Sequence, residues 1–173
     1  SAASDVYKRQ TFYRKTDGSV WGMGENENGV LGNGTQDDQN VSTQIIPSGV
    51  IDLSVGLNFW NLALFLKSDG SLWGTGNGDN GMLGYGSTGD RWSPIRARSS
   101  GVEGMAAGEM HSLFFDTNGS LWAAGKNDFG QLGDGTTTNQ TIPVQVVASG
   151  VTEVSKSQKS SYYLDVNGSL WAM

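Results

Sequence analysis

The stretch Asp69-Gly70-Ser71-Leu72-Trp73 is one of four closely similar stretches whose spacing decides the fold of the chain. Each stretch ends in a tryptophan, and successive tryptophans are 52, 49 and 49 residues apart. A constant period of about 50 residues is the signature of a repeat fold, in which each copy forms one small structural unit. The four tryptophans are Trp21, Trp73, Trp122 and Trp171.

Two further motifs keep the same phase along the chain. A Gly-x-Leu-Gly-x-Gly motif occupies residues 29–34, 81–86 and 130–135, and a Gly-Val pair begins at residues 49, 101 and 150. Three motifs in one order indicate tandem copies, with units at 18–69, 70–118 and 119–167 and a partial unit at 168–173. The glycines that follow the motif leucine, which we interpret as structural, are Gly32, Gly84 and Gly133.

Each copy is expected to contain about four short β-strands. The Asp-Gly or Asn-Gly pair between apolar runs predicts a type I′ hairpin, because both central residues of that turn need a positive φ. In the copy after Gly70, we predict strands at 71–75, 102–107 and 111–116, and a short strand around Ile95 within the segment 91–98 that crosses the blade. A four-stranded unit that buries its faces only against neighbouring units is a propeller blade. The sequence therefore predicts an all-β chain of three tandem four-stranded blades in an open arc, with the recurring Trp and Leu between blades.

Composition excludes several classes of function. The net charge is −6 and the sequence pI is about 4.6, without a run of basic residues, which argues against nucleic-acid binding. The chain has no cysteine, so it has no disulfide framework. No apolar stretch approaches the roughly 20 residues of a membrane span.

The first ten residues do not match the repeat. Their sequence resembles a translated sequencing adapter, so we expect 1–10 to be non-native and 11–173 to be the propeller part. The chain stops inside the fourth copy, at Met173. We therefore expect a metagenomic fragment of a longer gene, whose remaining blades would complete a ring.

The single histidine, His111, is interpreted as structural, with its ring hydrogen-bonded to a neighbouring loop backbone. A general base would need a nucleophile or carboxylate in reach, and a metal site would need clustered ligands. The Gly-x-Gly-x-x-Gly pattern at 76–81 lacks the helix that holds a dinucleotide, and the Asp-x-Asn-Gly turns at 116 and 165 lack the remaining calcium ligands. We predict no cofactor, no metal and no enzymatic activity.

Residues that break the repeat are the candidates for binding. Leu57, Asn58, Phe59 and Trp60 stand where the next copy has only Glu109 and Met110, and the residues of both loops are candidates. The second candidate loop contains Tyr85, Arg91 and Trp92. Trp, Tyr and Arg are the residue types most enriched among binding hot spots. Phe59 and Trp60 could equally cap the apolar end of a blade.

The motifs together resemble the repeat of the regulator of chromosome condensation family. The similar stretches are Asp69-Gly70-Ser71-Leu72-Trp73-Gly74 and residues 106–113, 129–137 and 143–146. A WD40 repeat is shorter than this period. A kelch repeat would carry a Gly-Gly pair, and the chain has none. The family's Gly-x-x-His-Ser-Leu is complete only at 108–113, and its histidine position is Leu62 and Ser160 in other copies.

The resemblance implies part of a seven-bladed propeller, and the Gly-Ser-Leu-Trp-Ala wording is similar to bacterial members. Some bacterial members of the family inhibit β-lactamases through propeller-face loops, whereas eukaryotic members promote nucleotide exchange on the GTPase Ran and bind chromatin. The resemblance therefore implies a non-catalytic protein–protein interaction scaffold, with an extracellular or cell-surface location in a bacterium favoured. The alternative is the propeller part of a larger bacterial cell-surface protein or enzyme that contacts carbohydrate or substrate.

Overall fold

The computed structural model describes residues 10–56 and 61–173, and these residues form fourteen β-strands. The strands are short because a Gly-rich turn or loop interrupts every apolar run. They are β1 (Gln10–Arg14), β2 (Val20–Gly24), β3 (Gln39–Ile46), β4 (Val50–Val55), β5 (Leu62–Lys67), β6 (Leu72–Gly76), β7 (Arg91–Arg98), β8 (Val102–Ala107), β9 (His111–Asp116), β10 (Leu121–Gly125), β11 (Gln140–Val147), β12 (Val151–Lys156), β13 (Ser161–Asp165) and β14 (Leu170–Ala172).

Consecutive strands pair antiparallel and divide into four sheets, here named the first to fourth blades. The second blade is β4-β5-β6-β7 and the third is β8-β9-β10-β11, whereas the first (β1-β2-β3) and the fourth (β12-β13-β14) have three strands each. The all-β class and the blade architecture are thus confirmed. The described strands are distributed over two four-stranded and two three-stranded sheets.

Each later sheet begins at the valine of the Gly-Val pair, at Val50, Val102 and Val151. A blade therefore starts about 20 residues before the next Asp-Gly or Asn-Gly turn, and it spans the junction of two sequence units. The backbone explains the boundary, because the Val50 amide donates to the Gly18 carbonyl at 3.0 Å. Val102 donates to Gly70 in the same way, and so the turn of one blade holds the first strand of the next.

The blades stack in chain order through their sheet faces. Strand β8 packs against β4 and β5, and β12 packs against β8 and β9. The layer between the second and third blades is a cluster of buried side chains that includes Leu64, Leu72, Met82 and Phe114. Two further clusters fill the layers on either side. This stacking lets a Gly-rich chain, whose described residues contain only two short 3-10 helices (Glu27–Gly29 and Asp79–Gly81), bury an apolar core.

The Leu-Trp pair contributes to two layers at once, because successive strand residues point to opposite faces. Leu72 lies in the layer towards the third blade, whereas Trp73 packs against the cluster between the first and second blades. Leu121 and Trp122 repeat this division one blade later. The indole N–H groups bind the turn: Trp73 donates to Ser71 Oγ at 2.8 Å, and Trp122 donates to Asp116 Oδ2 at 3.0 Å.

The hairpin turns differ from the predicted type. Gly18, Gly70, Gly119 and Gly168 have φ between 72° and 77°, but the Asp or Asn before each has no positive φ. The amide of Gly18 donates to the Lys15 carbonyl, and the amide of Lys15 donates to Ser19. The type I′ prediction was wrong, because the loop has three residues and closes with one left-handed glycine.

The strand directions define two faces of the blade stack. The turn face carries the short hairpins and the Gly-Val connections. The loop face carries the longer connections at 25–38, 77–90, 108–110, 126–139 and 157–160. Within residues 10–56 and 61–173, no helix is long and apolar enough to cross a membrane.

Candidate functional site

The long loop of the second blade, residues 77–90, differs in construction from the equivalent loops of its neighbours. In the first blade, the buried Asn26 side chain donates to Asn33 Oδ1 at 3.1 Å and to the carbonyl oxygens of Thr35 and Asp37. Its own Oδ1 accepts from the Leu31 amide at 2.9 Å. The amide thus ties three points of the loop together, and we call this arrangement the asparagine clamp.

The third blade builds the same clamp with Asn127. Its amide donates to Asp134 Oδ1 at 2.9 Å and to the carbonyl of Thr136 at 3.1 Å, and its Oδ1 accepts from the Leu132 amide at 3.0 Å. The second blade has Gly78 at the position of Asn26 and Asn127. It also has Tyr85 where the clamp's acceptors Asn33 and Asp134 stand. The two departures belong together, because they remove the donor and one acceptor of the same clamp.

Contacts of Tyr85 stand in place of the clamp in the loop of the second blade. The hydroxyl of Tyr85 donates to the Gly89 carbonyl. The amide of Gly78 donates to Asp90 Oδ1 at 3.0 Å, a hydrogen bond that the amides of Asn26 and Asn127 also make, to Asp38 and Asn139. The Arg91 guanidinium lies 4.5 Å from the centre of the Tyr85 ring, within the range of a cation–π contact. The predicted candidates Tyr85 and Arg91 are therefore in direct contact.

Trp92, the third candidate of this loop, lies where the second blade meets the first. Its carbonyl accepts from the Gly34 amide at 2.7 Å, and its indole Cδ1 and its Cβ lie 2.6 and 2.8 Å from the point where a side chain on Gly29 would begin. Thr141 has the same place one blade later, with its carbonyl accepting from Gly86 at 2.9 Å. Because threonine can do this, the junction needs the backbone and the Cβ and does not need an indole. The Trp92 side chain is nevertheless 47% exposed.

The remaining predicted loop residues have different fates. Leu57, Asn58, Phe59 and Trp60 lie outside the described residues. Met110 is buried in the cluster between the second and third blades, and its carbonyl accepts from the Lys126 amide at 2.9 Å. We therefore remove Met110 from the candidate surface, because the short connection 108–110 between β8 and β9 turns its side chain inward. Glu109 is half-buried beside it.

His111 is buried at the start of β9 and joins the third blade to the fourth. Ser161 Oγ donates to the Gln131 carbonyl at 2.7 Å, so it accepts a hydrogen bond from His111 Nε2–H at 2.9 Å. The ring thus binds a side chain and reaches a loop backbone only through that hydroxyl. Burial lowers the pKa of His111 to about 4, and the nearby Lys156 charge adds to this effect. A neutral, enclosed imidazole does not face a substrate.

The Asp-x-Asn-Gly turns are closed by the protein's own donors. Asp116 accepts from the amides of Asn118 and Ser120 and from the Trp122 indole, at 3.0 to 3.1 Å. Burial raises the pKa of Asp116, but these hydrogen bonds outweigh it and hold the pKa below the ordinary 3.8. Among residues 10–56 and 61–173, no group of three or more His, Cys, Asp or Glu is placed to hold a metal ion.

The repeat pattern is also found by comparison with known families. The family model of the Regulator of chromosome condensation (RCC1) repeat matches residues 17–59, 69–115 and 118–162, and a second RCC1 repeat model matches residues 102–131. The chain belongs to the RCC1 repeat family.

Solved structures share the RCC1 repeat fold at low sequence identity. Human WBSCR16 has a TM-score of 0.79 at 20% identity, and the match covers 95% of this chain and 45% of the WBSCR16 chain. Yeast RCC1 (Prp20) in its complex with Kap60 has a TM-score of 0.78 at 18% identity, over 95% of this chain and 39% of the other. Prp20p from Saccharomyces cerevisiae, described with its binding properties to Gsp1p and histones, has a TM-score of 0.77 at 20% identity. The match covers 95% of this chain and 41% of the Prp20p chain. The chain thus spans less than half the length of these structures.

The structure adds a feature of this RCC1 repeat chain that sequence reasoning missed. A groove of about 450 Å³ runs between the outer strands β7 and β11 of adjacent blades, and we call it the rim groove. Its walls include Tyr85, Arg96, Arg98, Trp122, Ile142 and Pro143. The sequence signal for this groove was in β7, which carries arginine at 91, 96 and 98. The first and third copies have glutamine at the positions of Arg91 (Gln39, Gln140) and Arg96 (Gln44, Gln145), and Ile46 and Val147 at the position of Arg98.

Proposed function

We propose that this chain is a non-catalytic protein-binding part of an RCC1-type propeller, and that it contacts its partner around Trp92 on the loop face. The observation that carries the proposal is a half-exposed indole at a position where the next copy makes the same junction with Thr141. A half-exposed tryptophan offers a large apolar surface and one N–H donor, which is the usual composition of an interface anchor.

The surroundings of Trp92 support a binding role. The preceding loop replaces the asparagine clamp by the contact between Tyr85 and Arg91, so its sequence is not explained by the shared fold. Tyrosine and arginine are themselves enriched at interfaces. A non-catalytic role is supported by His111, which is fully buried and hydrogen-bonded through Nε2, and by Asp116, whose carboxylate is bound by the protein's own donors.

The relatives support a protein as the class of partner. Yeast Prp20p has been described with binding properties to Gsp1p and histones, and yeast RCC1 (Prp20) binds Kap60. At 18–20% identity we transfer only the use of a propeller as a binding surface, and we propose a bacterial cell-surface or secreted partner. The remaining blades of a full-length ring are further expected neighbours.

The test replaces Trp92 by the residue of the next copy, as Trp92→Thr. A tagged chain would be used to capture proteins from bacterial cell-surface extracts, and recovered proteins would be purified and titrated by calorimetry. We expect Trp92→Thr to weaken the binding of the captured partner by about tenfold, as for loss of a hot spot. The matched control is Val41→Ser, which removes an exposed apolar side chain from the outer strand of the first blade.

Equal binding by wild type and Trp92→Thr would contradict the proposal, provided that both have the same circular dichroism spectrum and melting temperature. An equal loss in Val41→Ser would also contradict it, because the effect would then come from general surface apolarity rather than from the position of Trp92.

The alternative function, a propeller part that contacts carbohydrate or substrate, has one place in the structure that favours it. A depression of about 630 Å³ on the turn face is lined by Ile51, Lys67, Asp69, Glu103 and Phe115, among others. Mixed apolar and polar walls of this kind suit a small polar ligand. A glycan array with wild type and Glu103→Gln tests it: binding that Glu103→Gln abolishes would favour the alternative, and no binding would remove it.

A further inference from the structure

The rim groove combines features that do not occur in the other copies. Strand β7 carries three of the chain's eleven lysines and arginines, although the whole chain has a net charge of −6. Two of them, Arg96 and Arg98, line the groove. The first and third copies have uncharged residues at all three positions, so the fold does not require the arginines.

The groove also presents an aromatic and aliphatic floor. Trp122 stacks on Phe114 with ring centres 6.3 Å apart, and the Arg98 guanidinium lies 4.8 Å from the centre of the Trp122 ring. On the opposite wall, Ile142 is 66% exposed and is followed by Pro143. Arg98 is therefore pre-positioned by stacking, and less conformational entropy is lost when it binds an anion.

The charge of Arg98 is only partly compensated. Its closest carboxylate oxygen is Asp116 Oδ2 at 3.9 Å, the limit of an ion pair, and this oxygen already accepts from the Trp122 indole at 3.0 Å. The side chain of Arg98 remains 36% exposed. A guanidinium of this kind can still donate to an incoming carboxylate.

We infer that the rim groove binds an acidic, extended segment of a partner protein, with its carboxylates on Arg96 and Arg98 and an apolar side chain against Trp122 and Ile142. The inference rests on the proposed protein-binding function and names the chemistry of the segment. A groove between two strands has the length for an extended chain, and clustered arginines are a known means of recognising acidic motifs. A nucleic acid is disfavoured, because only two cations line the groove and the chain as a whole is acidic.

The experiment measures fluorescence anisotropy of labelled peptides added to the full chain. The probe is a short peptide of glutamate and aspartate with one central phenylalanine, compared with a peptide in which lysine replaces every acid and with one in which serine replaces phenylalanine. A single-stranded oligothymidine of similar length is the fourth probe. We expect binding of the first probe only, weakened by raising NaCl from about 50 mM to about 500 mM.

The variants are taken from the other copies so that the fold is preserved. Arg98→Val and Arg96→Gln place the residues of the third copy in β7, and Ile142→Ser places the residue of the second copy in β11. We expect each of Arg98→Val and Ile142→Ser to weaken the acidic peptide by about tenfold. Arg14→Gln, which removes an exposed charge from β1, is the matched control and should bind as wild type.

No binding of the acidic peptide, equal binding by the double variant Arg96→Gln/Arg98→Val, or equal binding of the oligothymidine would each overturn the inference. The outcome is separable from that of the proposed function. Capture of a partner that depends on Trp92 but not on Arg96 and Arg98 leaves the proposed function intact and removes the groove. Binding of the acidic peptide without capture of any Trp92-dependent partner leaves the groove intact and removes the proposed contact at Trp92.

Discussion

Acidification tests the buried histidine, because the chain contains only one. His111 is fully buried, and its pKa is lowered from 6.5 to about 4 by burial and by Lys156. As the pH falls through 6.5, the unfolded chain takes up a proton that the folded chain takes up only near pH 4. The free energy of unfolding should therefore decrease between these two values and become level below them. The pKa difference corresponds to about 3 kcal/mol.

Between pH 6.5 and about 4, we assign the change in the free energy of unfolding to His111. The carboxyl groups with lowered pKa, among them Asp116 and Asp134, lose their contribution only as the pH falls below about 3.8. Urea unfolding followed by tryptophan fluorescence at several pH values from 7.5 to 4.5 would measure the slope. His111→Gln keeps an N–H donor for Ser161 but does not titrate, so its stability should be nearly independent of pH in this range.

A direct measurement of the histidine would refute the reasoning most clearly. Proton NMR of the folded chain should show no titration of the His111 ring above about pH 5. A titration midpoint near 6.5 in the folded protein would contradict the burial argument. Equal pH slopes for wild type and His111→Gln would show that another group carries the dependence.

Two further changes test the packing and the asparagine clamp. Leu72→Ala removes a fully buried side chain from the layer between the second and third blades, so it should lower the free energy of unfolding in urea by about 3 kcal/mol. The control Leu170→Ala, at a position 69% exposed, should change the free energy of unfolding by less than about 0.5 kcal/mol. Asn127→Ala leaves the Leu132 amide without its acceptor and should cost about 2 kcal/mol, with faster hydrogen exchange across 128–138; unchanged exchange there would contradict the clamp.

The fold was largely predictable because its determinants are local and repeated. Strands at 102–107 and 111–116 agree with the structure, since apolar runs between Gly-containing turns fix them, whereas the strand expected around Ile95 extends over all of Arg91–Arg98. The start of each blade was not predictable from the repeat, because a periodic sequence has no preferred starting point. The hydrogen bond from Val50 to Gly18 sets it, and that contact joins residues 32 positions apart.

The candidate site was predictable only in part, for a physical reason that Met110 and Arg98 illustrate. Departure from the repeat identified both Trp92 and Met110, but a side chain's exposure depends on the loop that carries it. The short connection 108–110 turns Met110 into the core, whereas the start of β7 leaves Trp92 at the surface. The role inferred for Arg98 depends on its contact with Trp122 in the next blade. Sequence alone does not show which strands face each other across two blades.

The asparagine clamp indicates where the fold tolerates substitutions. A loop held by a buried asparagine depends on that residue and its acceptors together, so replacing either one alone leaves a buried polar group unpaired. The second blade has lost donor and acceptor together, at Gly78 and Tyr85, and Tyr85 now stacks under Arg91 and also lines the rim groove. The aromatic ring that stands at the clamp position thus contacts Arg91, the chain neighbour of Trp92, and lines the same groove as Arg96 and Arg98. This coupling makes the second blade, rather than its more regular neighbours, the part of the chain where a binding surface could be built without loss of the fold.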